Sequence, residues 1–170
     1  MNLIYYPNSF LDKQVKVFDI DNPVVDPKEL KANMVEVMLD NNGIGLSANQ
    51  VEFDGQVFVM GDKKDNATIC INPQILQHTE ETVQDIEGCL SFPGIYVKVT
   101  RPKEILAEWY DENLEKQTVK IDGYSAKCYL HELDHLLGIT MKDRVSKLKW
   151  DMAKKKSYKF KTLHDRENNA

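Results

Sequence analysis

The chain of 170 residues is poor in cysteine and has no long apolar run, and each absence excludes a class of protein. Its three cysteines, an odd number at wide spacing, do not suggest a disulfide framework and suit a reducing compartment. No apolar run approaches the roughly 20 residues of a membrane-spanning helix. Residues 1–7 lack the basic stretch and apolar core of a signal peptide. The sequence therefore predicts a cytoplasmic protein with no membrane partner.

The length and composition predict a single globular domain over residues 1–170. Hydrophobic residues make up 42% of the chain, enough for a core at this length. Charge is uneven, since residues 141–170 hold ten Lys and Arg against four Asp and Glu, whereas residues 1–140 hold 12 against 23. Two explanations of the basic C-terminal segment stay open: a solvated face of a helix from about residue 145, or a surface that docks on an anionic partner such as ribosomal RNA.

Hydrophobic spacing and turn residues predict an α+β fold. Asp26-Pro27 is typical of a helix start, and Asn41-Asn42-Gly43 of its end. Short apolar or β-branched segments then predict strands, which we place at residues 57–60, 69–71 (closed by Asn72-Pro73), 95–100, 104–110 (after a break at Arg101-Pro102) and 118–121. A helix capped by Ser125 and stopped at Gly138 follows, and an amphipathic helix begins near Val145. This order is not that of alternating βαβ units.

Residues 131–135, His-Glu-Leu-Asp-His, carry the most informative pattern of the chain. Histidines four residues apart lie on one face of a helix, so the imidazoles of His131 and His135 can bind one divalent ion. Glu132 can reach a water held on that ion, an arrangement typical of hydrolases. The alternative is a solvated helix with two idle histidines. Apolar neighbours favour a buried helix, in which histidine and glutamate need partners.

Cys89 is the predicted third metal ligand. Its surroundings, residues 87–94 (Glu-Gly-Cys-Leu-Ser-Phe-Pro-Gly), contain glycine and proline, which shape the backbone. Cys70 lies in an apolar strand and Cys128 one helical turn from His131, so packing is the expected role of both. A Cys-His-His set with a water in the fourth position is an open site of the catalytic kind. Its thiolate suits Fe²⁺ as well as Zn²⁺.

Residues 43–50, Gly-Ile-Gly-Leu-Ser-Ala-Asn-Gln, form a third unusual segment. They match neither of the glycine-rich phosphate-binding patterns. Small residues let an extended backbone approach another strand or a substrate peptide closely. The terminal Gln50 offers N–H donors that can stabilise a developing oxyanion.

Together, residues 43–50, 87–91 and 131–138 resemble the three signature motifs of the peptide deformylase family, in the same order. The similarity extends to Ile71-Asn72-Pro73 and to residues 138–144, and so covers most of residues 1–150. The family removes the formyl group from the N-terminal methionine of nascent bacterial or organellar polypeptides. The resemblance implies short antiparallel strands packed around a central helix that carries the two histidines, with an N-terminal and a C-terminal helix beside them.

The resemblance also implies a role for each site residue. Cys89, His131 and His135 would bind one divalent ion, Fe²⁺ in the cell and Zn²⁺, Ni²⁺ or Co²⁺ after purification, and Glu132 would act as general base and then acid. The other residues that it implies are the oxyanion donors Gln50 and the backbone N–H of Leu90, Gly45 where the substrate backbone passes, and a charged pair of Glu87 and Arg101. Three residues are expected near the methionine side chain, with plain core packing as their alternative: Tyr96, Tyr129 and Leu130.

Three positions depart from the family's pattern. Leu130 stands where the family usually has glutamine, Ser47 where it has alanine, and Leu11-Asp12 where Leu-Arg is common. None of them is a metal ligand or the base, so we expect an active, divergent member. Its substrates would be formyl-Met nascent peptides in the cytoplasm of a bacterium, or of a bacterial host if the chain is virus-encoded. No sequence-specific contact with nucleic acid is expected.

Two other functions fit part of the pattern. A zinc endopeptidase of the H-E-x-x-H type would recruit a downstream third ligand, and the only later histidine is His164. A non-catalytic, metal-stabilised module could bind ribosomes through the basic C-terminal segment, but it would leave Glu132 and Gln50 idle. Formate release from a formyl-Met peptide, internal cleavage of an unformylated peptide, or neither, separates the three.

Overall fold

The computed structural model describes the backbone of residues 1–168 and the side chains of residues 1–159. Its helices are α1 (Pro27–Asp40), α2 (Gly123–Leu136) and α3 (Lys147–Asn168). Its strands are β1 (Gly45–Ser47), β2 (Val57–Met60), β3 (Thr68–His78), β4 (Thr82–Cys89), β5 (Phe92–Pro102), β6 (Glu104–Tyr110) and β7 (Lys116–Asp122). Among these described elements, no helix is both long and apolar enough to cross a bilayer.

The strands form two antiparallel sheets, which confirms the predicted α+β class. One sheet has five strands in the order β1-β2-β3-β6-β7, and the other is the β4-β5 hairpin. Helix α2 contacts β1, β2, β5, β6 and β7, so it is central, as expected. A main apolar core lies between this helix, α1 and the large sheet, and a smaller one joins β5 to α3. Cys89, the last residue of β4, therefore lies beside the central helix.

Helix α1 begins where the sequence predicts. The side chain of Asp26 accepts a hydrogen bond from the backbone N–H of Lys28, and Pro27 occupies the first turn. The Asp26 side chain thus satisfies one free N–H group of the first turn, and Pro27 has no backbone N–H that would need a partner. The helix ends at Asp40, and Asn42 takes a positive φ of 56°. The prediction of both ends is confirmed.

Helix α2 begins two residues earlier than the predicted cap at Ser125. Asp122 ends β7 and precedes Gly123, whose φ is +55°. This left-handed conformation, which glycine adopts without steric cost, turns the chain from strand directly into helix. Ser125 therefore lies inside the first turn, and the prediction that it caps the helix is wrong. Gly138, with a φ of +73°, follows the helix end as expected.

Strands β3, β5 and β7 are longer than predicted. Strand β3 does not stop at Asn72-Pro73 but runs on to His78, because a bulge between Ile71 and Gln74 accommodates the proline. Asn72 has a φ of +50°, and its side chain bonds both backbone groups of Phe18. Strand β5 likewise runs through Arg101 to Pro102. Strands β1 and β4 were not predicted; residues 82–86 of β4 are all exposed and so carry no apolar alternation.

Candidate metal centre

Helix α2 and the end of β4 bring the three predicted ligands together. The Nε2 atoms of His131 and His135 are 3.2 Å apart, and Sγ of Cys89 lies 3.3 Å from Nε2 of His135. All three ligand atoms lie within 4.8 Å of one another. In a tetrahedral site with the usual zinc bond lengths, neighbouring nitrogen and sulfur ligands are about 3.3–3.6 Å apart. The group can therefore hold one metal ion.

Glu87 fixes the orientation of His131. Nδ1 of His131 lies 2.9 Å from Oε2 of Glu87, and Arg101 donates to both carboxylate oxygens at 2.8 and 2.9 Å. With Nδ1 donating to the carboxylate, Nε2 keeps its lone pair for a metal. Burial opposes the charge of Glu87, but the hydrogen bonds from His131 and Arg101 outweigh it and lower the pKa of Glu87 to about 2. Glu87 is thus ionised at neutral pH.

Asp134 extends this charged group towards α3, and sequence reasoning gave it no role. It accepts a hydrogen bond from Nη1 of Arg101 at 2.6 Å and another from Nε of Arg144 at 2.9 Å. Buried charges are retained when they are paired and hydrogen-bonded. The sequence did contain a sign of this role, since Asp134 is an aspartate on a helix predicted to be buried. A buried carboxylate requires a cation nearby.

Glu132 is 4% exposed, and its Oε2 atom is buried with no hydrogen-bond partner among the described residues. Nδ1 of His135 is in the same state. Burial raises the pKa of Glu132 to about 7, against the opposing charge of His131. A buried polar atom without a partner is rare and costly. A water molecule held at a bound ion would give this unpaired carboxylate oxygen, beside three metal ligands, a hydrogen-bond partner.

A cavity of about 550 Å³ opens onto this group. Its lining includes the predicted residues Gly45, Gln50, Leu90 and Tyr96 together with Cys89, His131 and Glu132. Nε2 of Gln50 lies 3.5 Å from Sγ of Cys89. Leu90 follows Cys89 in the two-residue turn between β4 and β5. The cavity therefore places a carboxamide, a turn backbone and the buried carboxylate around one point.

Tyr129 and Leu130 do not line this cavity, so their assignment to a substrate pocket is wrong. Tyr129 is fully buried, donates its hydroxyl to the carbonyls of Gln74 and Glu108, and packs edge-on against Phe58. Leu130 is buried in the same core. The physical reason is that residues next to each other in a helical sequence point in different directions, whereas residues three or four apart share a face. The side of α2 that lines the cavity carries Tyr124, Lys127, Cys128 and His131.

The chain is similar to known deformylases over most of its length. The sequence model of the polypeptide deformylase family matches residues 1–151. A peptide deformylase of Neisseria gonorrhoeae is 40% identical over 159 residues, which are 92% of this chain and 93% of that protein. A peptide deformylase from Legionella pneumophila superposes with a TM-score of 0.85 at 30% identity and 96% coverage of both chains. One from Synechococcus elongatus, in complex with actinonin, gives 0.80 at 34% identity, covering 91% of this chain and 84% of that one.

Proposed function

The chain belongs to the polypeptide deformylase family, which removes N-terminal formyl groups from nascent peptides, and we propose that Glu132 moves the protons in that reaction. The observation that carries the proposal is the buried Oε2 of Glu132, which lacks a partner beside the Cys-His-His group. A divalent ion, when bound there, lowers the pKa of a water molecule and polarises the formyl group.

Glu132 acts as base and then as acid. Its carboxylate accepts a proton from the attacking water, whose oxygen forms a bond to the formyl carbon. As the carbon–nitrogen bond breaks, the same proton passes from Glu132 to the departing nitrogen, so the products are formate and a peptide with a free amine.

Gln50 and Leu90 stabilise the charge that develops on the formyl oxygen. Nε2 of Gln50 and the backbone N–H of Leu90 are the two proposed donors, and both residues line the cavity beside Cys89. Donors held in place before the reaction cost no reorganisation, and one of them is worth about 3–4 kcal/mol in comparable sites. The two donors therefore lower the barrier to attack on the formyl carbon.

The formyl-Met peptide lies along the cavity. Its backbone passes Gly45, and the methionine side chain packs between Ile86, Cys128 and the ring of Tyr124, all of which line the cavity. Tyr96, whose ring is exposed at the rim, contacts the residues after methionine. A concave cavity with convergent polar groups is typical of ligand sites.

The metal is Fe²⁺ in the cell and Zn²⁺, Ni²⁺ or Co²⁺ after aerobic purification. The support is the ligand set, because a thiolate with two imidazoles accepts all four ions and metal availability decides among them. Elemental analysis of protein purified without oxygen tests the assignment: iron in stoichiometric amount supports it, and zinc as the sole metal under those conditions overturns it.

The proposed reaction is tested by incubating the metal-loaded protein with a formyl-Met peptide and with the same peptide without the formyl group. Formate release from the first and no cleavage of the second is the expected result. Internal cleavage of either peptide would favour an endopeptidase. That function has less support, because Cys89 already supplies a third ligand beside His131 and His135. The side chain of His164, the downstream histidine, lies outside the described residues.

Helix α3 docks on ribosomal RNA in this proposal, which places the enzyme in the cytoplasm where nascent chains emerge. Trp150 anchors the helix, because its ring packs edge-on against the ring of Phe92 with 5.6 Å between the ring centroids. The exposed lysines of its described part are Lys147, Lys149, Lys154, Lys155, Lys156 and Lys159. Phosphate contacts weaken steeply with salt. Co-sedimentation with 70S ribosomes should therefore fall with salt and with Lys155→Glu/Lys156→Glu, but not with the control Lys63→Glu/Lys64→Glu.

A further inference from the structure

The carboxamide of Gln50 is held at both ends by serines. Its Oε1 accepts hydrogen bonds from the backbone N–H and the hydroxyl of Ser47, both at 2.9 Å, and its Nε2 donates to Oγ of Ser91 at 3.0 Å. Gln50, Ser47 and Ser91 are each at most 1% exposed. A backbone N–H can only donate, so the atom facing Ser47 must be the oxygen. The amide therefore has one orientation.

That orientation directs the second N–H of Gln50 to the metal-ligand group. Nε2 carries two hydrogens, of which one is donated to Oγ of Ser91 and the other to Sγ of Cys89, 3.5 Å away. The two serine segments are also fixed relative to each other. Backbone N–H groups of Ile4 and Tyr6 donate to the carbonyls of Gln50 and Ser91, each at 2.9 Å.

We propose that Ser47 and Ser91 are positioning residues for the reaction: together they hold the Gln50 amide with one N–H directed at the formyl oxygen. The proposal rests on the oxyanion role of Gln50 given above. A donor aimed before the reaction stabilises the transition state without reorganisation.

Ser47 has further contacts that the test must separate, among them a hydrogen bond from its hydroxyl to the carboxylate of Glu132. Its hydroxyl also lies 2.9 Å from Oδ1 of Asn49, and the amide of Asn49 donates to the backbone carbonyl of His135. Removal of the hydroxyl could therefore act on the metal-ligand helix through Asn49 rather than on Gln50. A double-mutant cycle distinguishes the two routes, because an effect that passes through Gln50 disappears once Gln50 is gone.

The experiment measures kcat and KM for formate release from a formyl-Met peptide by the metal-loaded full chain. Its variants are Ser47→Ala, Ser91→Ala, Gln50→Ala and the two pairs with Gln50→Ala. Each serine change alone should lower kcat about 2- to 10-fold, the range of one hydrogen bond, and leave KM within about twofold. In the Gln50→Ala background neither change should lower kcat further. Ser125→Ala, at an exposed residue of α2, should leave both constants unchanged.

Three results would overturn the proposal. If the serine effects persist in full when Gln50 is absent, the serines act by another route. If Gln50→Ala lowers kcat and neither serine change does, Gln50 needs no positioning. If Gln50→Ala keeps the original kcat, the oxyanion role fails as well, and this outcome is distinguishable because formate is still released. Should Ser91→Ala not fold, the Ser47 cycle decides alone.

Discussion

The carboxylate of Glu132 lies directly against Gly45. A Cβ atom at residue 45 would overlap Oε1 of Glu132 and would stand 2.8 Å from Sγ of Cys128, closer than real side chains approach. Strand β1 thus passes α2 at a distance that only glycine permits. The sequence predicted Gly45 as a place where the substrate backbone passes. The structure adds a second reason for glycine there, because the absence of a side chain leaves room for the carboxylate of Glu132.

Gly45→Ala should therefore impair catalysis more than metal binding. The new methyl group pushes the carboxylate of Glu132 away from its position, and a misplacement of about 1 Å can cost on the order of 100-fold in rate. We expect kcat for formate release to fall by about that factor while metal content is retained. Gly123→Ala is the matched control, because nothing lies within 4 Å of its Cβ. That change should cost stability through its positive φ and leave kcat unaltered; an equal loss of kcat in both variants would contradict the argument.

Glu132→Gln should separate metal binding from turnover. Glutamine has nearly the same shape, but its amide cannot accept the proton of the attacking water. Metal content should stay at one ion per chain, whereas kcat should fall by about 100- to 10,000-fold. Elemental analysis and the formate assay on the same sample provide the check. A variant that keeps most of its activity would remove Glu132 from the proposed mechanism.

Cys89→Ser should weaken the metal site. A serine hydroxyl is a poor ligand at neutral pH, so two imidazoles would have to hold the ion without the thiolate. We expect metal affinity to fall by at least about 100-fold, since changes even beyond the direct ligands cost 10–100-fold. Competition with a chelator measures the affinity. Cys70→Ala, at a buried cysteine that packs in the main core, should lower stability and leave the affinity unchanged; equal weakening in both would point to a loss of fold.

Stability in acid should depend on Glu87. Its folded pKa of about 2 lies below the ordinary value of 4.5, so its contribution is present in full above about pH 4.5 and is lost as the pH falls towards 2. The difference corresponds to roughly 3 kcal/mol of unfolding free energy. Urea denaturation of the metal-free protein between pH 5 and pH 2 measures this fall. Glu87→Gln should be less stable at pH 5 and show a shallower dependence; an unchanged slope would mean that other carboxylates cause the fall.

The sequence predicted well wherever local chemistry decides the structure. Asp26-Pro27 starts a helix because a cap and a proline act within one turn. The spacing of His131 and His135 places two imidazoles on one face of a helix by geometry alone. The glycine and proline around Cys89 then indicated the third ligand, which the β4-β5 hairpin brings to the same point.

Prediction from the sequence failed where contacts between residues far apart in the chain determine the structure. Strand β4 has exposed residues and pairs only with β5, so no apolar pattern marks it. Tyr129 was assigned to the substrate pocket because it stands next to the motif, but its position on α2 faces the large sheet. The hydrogen bond of Gln50 to Ser91 joins residues that are 41 positions apart, and the sequence gives no sign of such a contact.

X-ray absorption at the metal edge of the zinc-loaded protein identifies the ligands of the Cys89-His131-His135 site. We expect one sulfur at about 2.3 Å and two imidazole nitrogens at about 2.0–2.1 Å around each ion, with a lighter ligand in the fourth position, and loss of the sulfur in Cys89→Ser. A shell without sulfur in the unaltered protein, or with sulfur still present in Cys89→Ser, would contradict the proposed metal centre.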